Sequence, residues 1–173
     1  VYASLRRLGS AREVVEKEQT ALKNRVTALM GGYFPEFFEV FKYPPEGKAA
    51  MKVLMEFPLP FQVASLGADG ALEVIKKAAK AGIGLGKASG LVEAAGAPIG
   101  SKHAGSGAAL EIPLMAGGLA LANKSGPQLL ARMGALLGEC PYGGFMLAVK
   151  GLGVAAAGAI TGGAGGLPRF ASP

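Results

Sequence analysis

The sequence predicts an all-α fold: coiled-coil-like helices and a small helical domain, ending in a helix-hairpin-helix-like element. Three observations carry that reading. Apolar side chains recur on a seven-residue period from Leu5 to Leu29. Short helix-periodic stretches punctuated by Pro and Gly fill residues 33–103. Near the end, Gly151 and Gly153 stand one residue apart, directly before the alanine-rich run Val154-Ala155-Ala156-Ala157.

Residues 1–32 are expected as one coiled-coil helix. Leu8, Val15, Leu22 and Leu29 fall seven apart, and Leu5, Arg12, Gln19 and Val26 occupy the interleaved positions, which is the 3-4 spacing of a coiled-coil seam. Arg12 and Gln19 put polar groups into it, weakening a coil while helping to fix its register. The seam Leu8, Val15, Leu22 and Leu29 predicts self-association, so a homo-oligomer is the expected partner state; an amphipathic helix on a small domain would show the same pattern. Off the seam, Arg6, Arg7, Lys17, Lys23 and Arg25 mix with Glu13, Glu16 and Glu18, and Glu13 and Lys17 are spaced for an i,i+4 pair. Gly31-Gly32 is expected to end the helix.

Residues 33–103 are expected as a small helical insert. Its aromatic cluster, Tyr33, Phe34, Phe37, Phe38, Phe41 and Tyr43, is interrupted by Pro35, Pro44 and Pro45. Such a cluster makes a small core more often than a base-stacking platform. A short helix is predicted from Lys48 to Phe57, closed by Pro58 and Pro60. Asp69 is placed to cap the next, whose apolar side is Leu72, Val74, Ile75 and Ala79. Lys76, Lys77, Lys80 and Lys87 gather along that helix and the turn after it. The turn Gly82-Ile83-Gly84-Leu85-Gly86-Lys87 invites a P-loop reading, but Ala81 stands where the first glycine belongs and Ala88 where the magnesium-binding hydroxyl belongs. A plain interhelical loop remains.

Residues 104–140 keep parts of an apolar stripe in Leu110, Leu114, Leu129, Met133, Leu136 and Leu137. Pro113 and Pro127 interrupt it, as do Gly117, Gly118, Gly126, Gly134 and Gly138, so two or three helical pieces are expected there. In the last segment, residues 141–173, the pair Gly151 and Gly153 lets the backbone turn without a Cβ penalty. The following helix would offer its unpaired N–H groups and positive dipole end to an anion, with the charge of Lys150 beside them. A tight turn between two core helices would look the same. Gly151, Gly153 and Ala156 also fit the dinucleotide-binding pattern, which needs an acidic residue about 20 positions later. After Glu139 the chain contains no Asp or Glu, which removes that reading.

The chain of 173 residues is long enough for one domain or two small ones. A net charge of +6 and a pI near 9.6 favour nucleic acid or another polyanion as partner. One cysteine, Cys140, excludes an internal disulfide framework and any multi-cysteine zinc site, and His103 is the only histidine. A reducing, cytoplasmic setting is expected. The first residues, with Arg6, Arg7 and Arg12, lack the apolar core of a secretory signal. The membrane candidate Gly151–Leu167 holds Gly158-x-x-x-Gly162 but contains seven glycines in seventeen residues, so insertion would gain little and no membrane partner is expected. The 28 glycines lie mostly beyond Gly82, and each interior one costs a helix about 0.5–1 kcal/mol relative to alanine.

Three segments occur in a particular order: Thr20-Ala21-Leu22-Lys23-Asn24-Arg25-Val26-Thr27-Ala28-Leu29 followed by Tyr33-Phe34-Pro35-Glu36-Phe37; then Leu54-Met55-Glu56-Phe57-Pro58; then Lys150-Gly151-Leu152-Gly153 through Arg169-Phe170-Ala171-Ser172-Pro173. Together they resemble the transposases of the insertion sequence 110 group, the Piv/MooV-type DEDD recombinases, over nearly the whole chain. The resemblance implies an internal fragment, covering the coiled-coil region and the start of the carboxy-terminal transposase domain. It makes residues 104–140 a second, broken coiled-coil helix that packs back against the first. It implies DNA as partner, leaves a guide RNA open, and makes dimerisation and DNA contact in DNA transposition the expected role.

Members of that family cut and rejoin DNA with four acidic residues on divalent metal ions such as magnesium and with a serine nucleophile. The resemblance places both outside this chain. Asp69 is the sole aspartate and sits in no matching motif, and Ser172 belongs to the Arg-Phe-x-Ser-Pro segment and is not the nucleophile. Relatives carry acidic residues at the positions of Gly31, Gly32, Gly163 and Gly166, as in a decayed or truncated copy. No catalytic residue, metal ligand or cofactor is therefore assigned. The candidate nucleic-acid contacts are Lys150, Gly151, Gly153, Arg169, Lys23 and Arg25. The rival reading is a structural coiled-coil adaptor that binds no nucleic acid.

Overall fold

A computed structural model describes residues 1–41, 47–78, 84–100 and 106–165. Every regular element among them is a helix, in keeping with the all-α prediction: α1 (Tyr2–Tyr33), α2 (Phe37–Val40), α3 (Lys48–Glu56), α4 (Pro60–Ala78), α5 (Leu85–Gly96), α6 (Ser106–Gly138), α7 (Gly143–Ala148) and α8 (Val154–Ala164). They form two compact units, one of Val1–Gln19 with Leu121–Pro173 and one of Thr20–Ala120.

The Thr20–Ala120 unit contains the insert together with the halves of α1 and α6 that flank it. Its core joins Val26 and Met30 of α1 to Phe34, Phe37 and Phe41, to Val53 and Leu54 of α3, to Val63 and Ile75 of α4, to Leu91 of α5, and to Ile112, Ala116 and Leu119 of α6. The aromatic cluster is core: Phe34 meets Phe37 edge-on at 5.7 Å between ring centroids, and Phe37 lies 4.9 Å from Phe41. Tyr43 lies outside the described residues. That burial also corrects the expected stop at Gly31-Gly32. Helix α1 runs through both glycines, and Phe34 N–H continues the ladder to the Met30 carbonyl at 2.7 Å, because Met30 and Phe34 are both fully packed.

Two further boundaries differ from expectation. Helix α4 starts at Pro60, which the sequence does not foresee, and is parted at Gly67, whose φ of 66° is left-handed, so that its second stretch begins near Asp69 as expected. Proline at the first helical position lacks an N–H that would be unpaired there anyway. The Gln62 side chain accepts the Leu59 N–H at 3.0 Å, the backward half of a capping box. Helix α6 is one helix of 33 residues instead of two or three pieces. Pro113 and Pro127 each remove a ladder bond, yet Ile112, Ala116, Leu119, Met133 and Leu137 bury their side chains, and such packing outweighs local propensity.

In the unit built from Val1–Gln19 and the chain after Leu121, Leu5, Met133, Leu136, Leu137, Cys140 and Ala157 form the core, with Tyr2, Leu8, Met146, Leu152 and Val154 packed on it. Helix α8 lies against α1 at unusually short range. A Cβ on Gly162 would fall 2.7 Å from the Arg6 backbone nitrogen, and one on Gly158 would fall 2.5 Å from Met133 Cε. The Gly158-x-x-x-Gly162 motif thus serves helix packing inside the chain. Among the described residues no helix is long and apolar enough to cross a membrane.

Candidate nucleic-acid interface

The segment from Gly138 to Ala164 makes a helix, a tight turn and a second helix. After α6 ends, Cys140 N–H bonds the Leu137 carbonyl at 3.0 Å and Gly143 N–H the Cys140 carbonyl at 3.0 Å, which starts α7 within five residues. Gly143 is buried here against the backbone of Leu137, where any Cβ would collide with the carbonyl.

Between α7 and α8 the chain makes a β-turn over Val149–Leu152, closed by Leu152 N–H to the Val149 carbonyl at 3.0 Å. Gly151 sits at the third position with φ 90°, which is the type II geometry that demands glycine there. Lys150 occupies the second position and is exposed. Gly153 follows in extended conformation (φ −75°, ψ 166°) as the residue preceding α8, with no side-chain cap. The first bond of α8 runs from Ala157 N–H to the Gly153 carbonyl at 2.9 Å, so the N–H groups of Val154, Ala155 and Ala156 stand ahead of the ladder.

The turn has an inside and an outside. Leu152 and Val154 pack on the core, and Val154 Cγ1 would lie 3.6 Å from a Cβ on Gly134 of α6. Lys150, Gly151, Gly153 and Ala156 face solvent, and nothing stands within 4 Å of where a Cβ would be on Gly151 or Gly153. The exposed end of α8 therefore combines uncapped N–H donors, the positive end of the helix dipole and one lysine charge. Each favours an anion.

The other predicted contacts are placed differently. Arg169 lies outside the described residues. Lys23 and Arg25 are on α1 in the other unit. Lys23 is half-buried, and Arg25 is held by Glu111, its Nε and Nη2 donating to Oε1 at 2.9 and 2.6 Å, so a phosphate would compete with a carboxylate for it.

The heptad seam is turned inward. Leu8 packs on the Leu5 core, Leu22 and Leu29 pack on the core of the other unit, and Val15 is half-buried. A Cβ on Gly118 of α6 would lie 3.3 Å from Leu22 Cδ1, and the polar seam residue Gln19 donates to Asn123 of α6. Leu22 thus meets α6 of the same chain at Gly118, a glycine that reads in the sequence as a helix breaker. Of the lysines after Asp69, Lys77 pairs with Glu73 at 2.8 Å and Lys87 lies over the Phe41 ring at 5.3 Å; Lys76 is exposed and Lys80 lies outside the described residues.

One contact has no counterpart in the sequence reading. The Arg6 guanidinium donates to the Gly162 carbonyl from Nε at 3.2 Å and Nη2 at 3.0 Å, and from Nη2 to the Gly163 carbonyl at 3.4 Å. Nothing in the spacing of residues 156 apart could have announced it; the Gly158-x-x-x-Gly162 pair was the one available signal.

Among the described residues no three His, Cys, Asp or Glu side chains gather to hold a metal ion, so the donors present do not fit a two-metal site. An apolar hollow between Tyr2, Cys140, Met146 and Ile160 holds about 50 Å³, far below the roughly 300 Å³ at which small-ligand sites begin. Compared with family models, curated proteins and solved structures, the chain finds no match.

Proposed function

We propose that this chain acts in DNA transposition, as the helical, DNA-contacting part of a transposase or site-specific recombinase of the insertion sequence 110 group, gripping duplex phosphates with the α7–α8 hairpin. The observation that carries the reading is the turn itself. Its glycine geometry, its uncapped helix end and the exposed Lys150 all lie on one solvent-facing edge held in place by Leu152 and Val154. Such an edge reads backbone charge and carries no base-specific donor set, so the contact is to DNA of any sequence. The resemblance of the three ordered segments supplies the biological setting, and the +6 charge supports the polyanion partner.

The test is affinity for a generic duplex across a salt series. Wild type loses affinity steeply with salt, and Lys150→Ala flattens the logarithmic slope by about one unit. Gly153→Val weakens binding without disturbing the fold, since valine adopts the Gly153 backbone angles and nothing lies within 4 Å of its Cβ. Equal affinity and slope for wild type, Lys150→Ala and Gly153→Val would return the hairpin to a plain turn and favour the structural adaptor.

A further inference from the structure

We infer that Arg6 is a positioning residue: its guanidinium, clamped on the C-terminal carbonyls of α8, sets the direction in which the α7–α8 hairpin presents its turn. This deepens the phosphate-gripping reading and rests on it for its consequence in DNA binding, though not for the clamp itself.

The clamp has two independent parts. One is polar: Arg6 donates to the Gly162 carbonyl at 3.2 and 3.0 Å and to that of Gly163 at 3.4 Å. These carbonyls belong to the last turn of α8, where no intrahelical N–H remains to satisfy them, and a cation there complements the negative end of the helix dipole. The other is steric. Gly162 is the position that only glycine can fill against the α1 backbone: a Cβ there would lie 2.7 Å from Arg6 N, 3.1 Å from its Cα and 3.2 Å from Leu5 C, while Gly158, one turn earlier, faces the Met133 side chain of α6. A small residue permits such close backbone approach where two helices cross. Held at its C-terminal end by Arg6 and Gly162, α8 is a short rigid rod of 11 residues whose other end is the Gly153 turn. A change in its tilt moves Gly151, Gly153 and Lys150 together.

Arg6 is exposed and far along the rod from Lys150, so its role separates from direct phosphate contact by experiment. Arg6→Ala removes the polar half, and Gly162→Ala removes the steric half without changing any charge. Each is expected to weaken binding of a generic duplex by about fivefold, with the salt slope of wild type retained. Arg6→Lys, which keeps a cation at the helix end, recovers part of the loss. In both weakened variants the amide resonances of Gly151 and Gly153 shift and the α8 amides exchange faster with solvent. A slope lowered by about one unit in Arg6→Ala would make Arg6 itself a phosphate contact and overturn the inference. So would hairpin resonances and α8 exchange unchanged in both variants, even with a lowered melting temperature. Should wild type show no salt-dependent affinity for duplex, the DNA reading falls, and the hairpin resonances alone decide the clamp.

Discussion

At the residue scale the glycines separate into those that only glycine can fill and those that are incidental. Gly143 and Gly144 are neighbours in α7 and identical in the sequence. A Cβ on Gly143 would collide with the Leu137 carbonyl, whereas nothing lies within 4 Å of one on Gly144. Gly143→Ala should therefore destabilise the fold by about 1–3 kcal/mol through forced backbone movement. Gly144→Ala should stabilise it by about 0.5–1 kcal/mol, through the helical preference of alanine. Urea unfolding of the two variants checks the pair, and equal signs would show that the close approach at Gly143 is not a constraint. The same contrast explains what the sequence could and could not disclose about the hairpin. Gly151 was legible because a positive φ in a turn needs glycine, which is a local property. Gly143 and Gly162 depend on which backbone passes by, and for Gly162 that backbone is the far end of the sequence, at Arg6. Glu36 belongs with them: it is buried, its Oε1 accepts the Ile99 N–H at 2.5 Å, and its Oε2 has no hydrogen-bond partner among the described residues, none of which its neighbours in sequence foretell.

At the scale of elements, α1 and α3 were legible because their apolar periodicity agrees with their burial: Leu5, Val26, Val53 and Leu54 are all in cores. Helix α6 was read as broken because proline and glycine weigh heavily in local propensity, and the packing that overrides them is non-local. Pro127 is exposed in the interior of α6, so its ring contributes no core contact while the Asn123 carbonyl loses its N–H partner. Pro127→Ala should raise stability by up to about 3 kcal/mol. A melting temperature equal to or below that of wild type would mean that α6 is bent at Pro127 in a way the packing needs. The start of α4 was missed for a related reason. Pro58 and Pro60 read as the end of one helix, and only the Leu59–Gln62 cap reveals Pro60 as the beginning of the next.

At the scale of the whole molecule, the proposed role is contact without chemistry. The donors of a two-metal site are not gathered among the described residues, and the resemblance places the serine nucleophile elsewhere. Purified residues 1–173 with magnesium should therefore neither nick nor join a DNA duplex, read on a supercoiled plasmid by gel. Strand cleavage that persists after repeated purification would sink the contact-only role. The two units also have a consequence for how the chain can be cut. The unit carrying the hairpin is assembled from the first nineteen residues and from the chain after Leu121, and each helix that leaves it, α1 or α6, continues unbroken into the other. The hairpin unit is therefore not contiguous in sequence, whereas Thr20–Ala120 is one stretch set between its two parts, and no single truncation removes the hairpin unit as a whole. Trimming the first two turns of α1 would remove Leu5 from beneath Met133 and Ala157 and release Arg6 from Gly162, disarming a turn nearly the whole length of the sequence away.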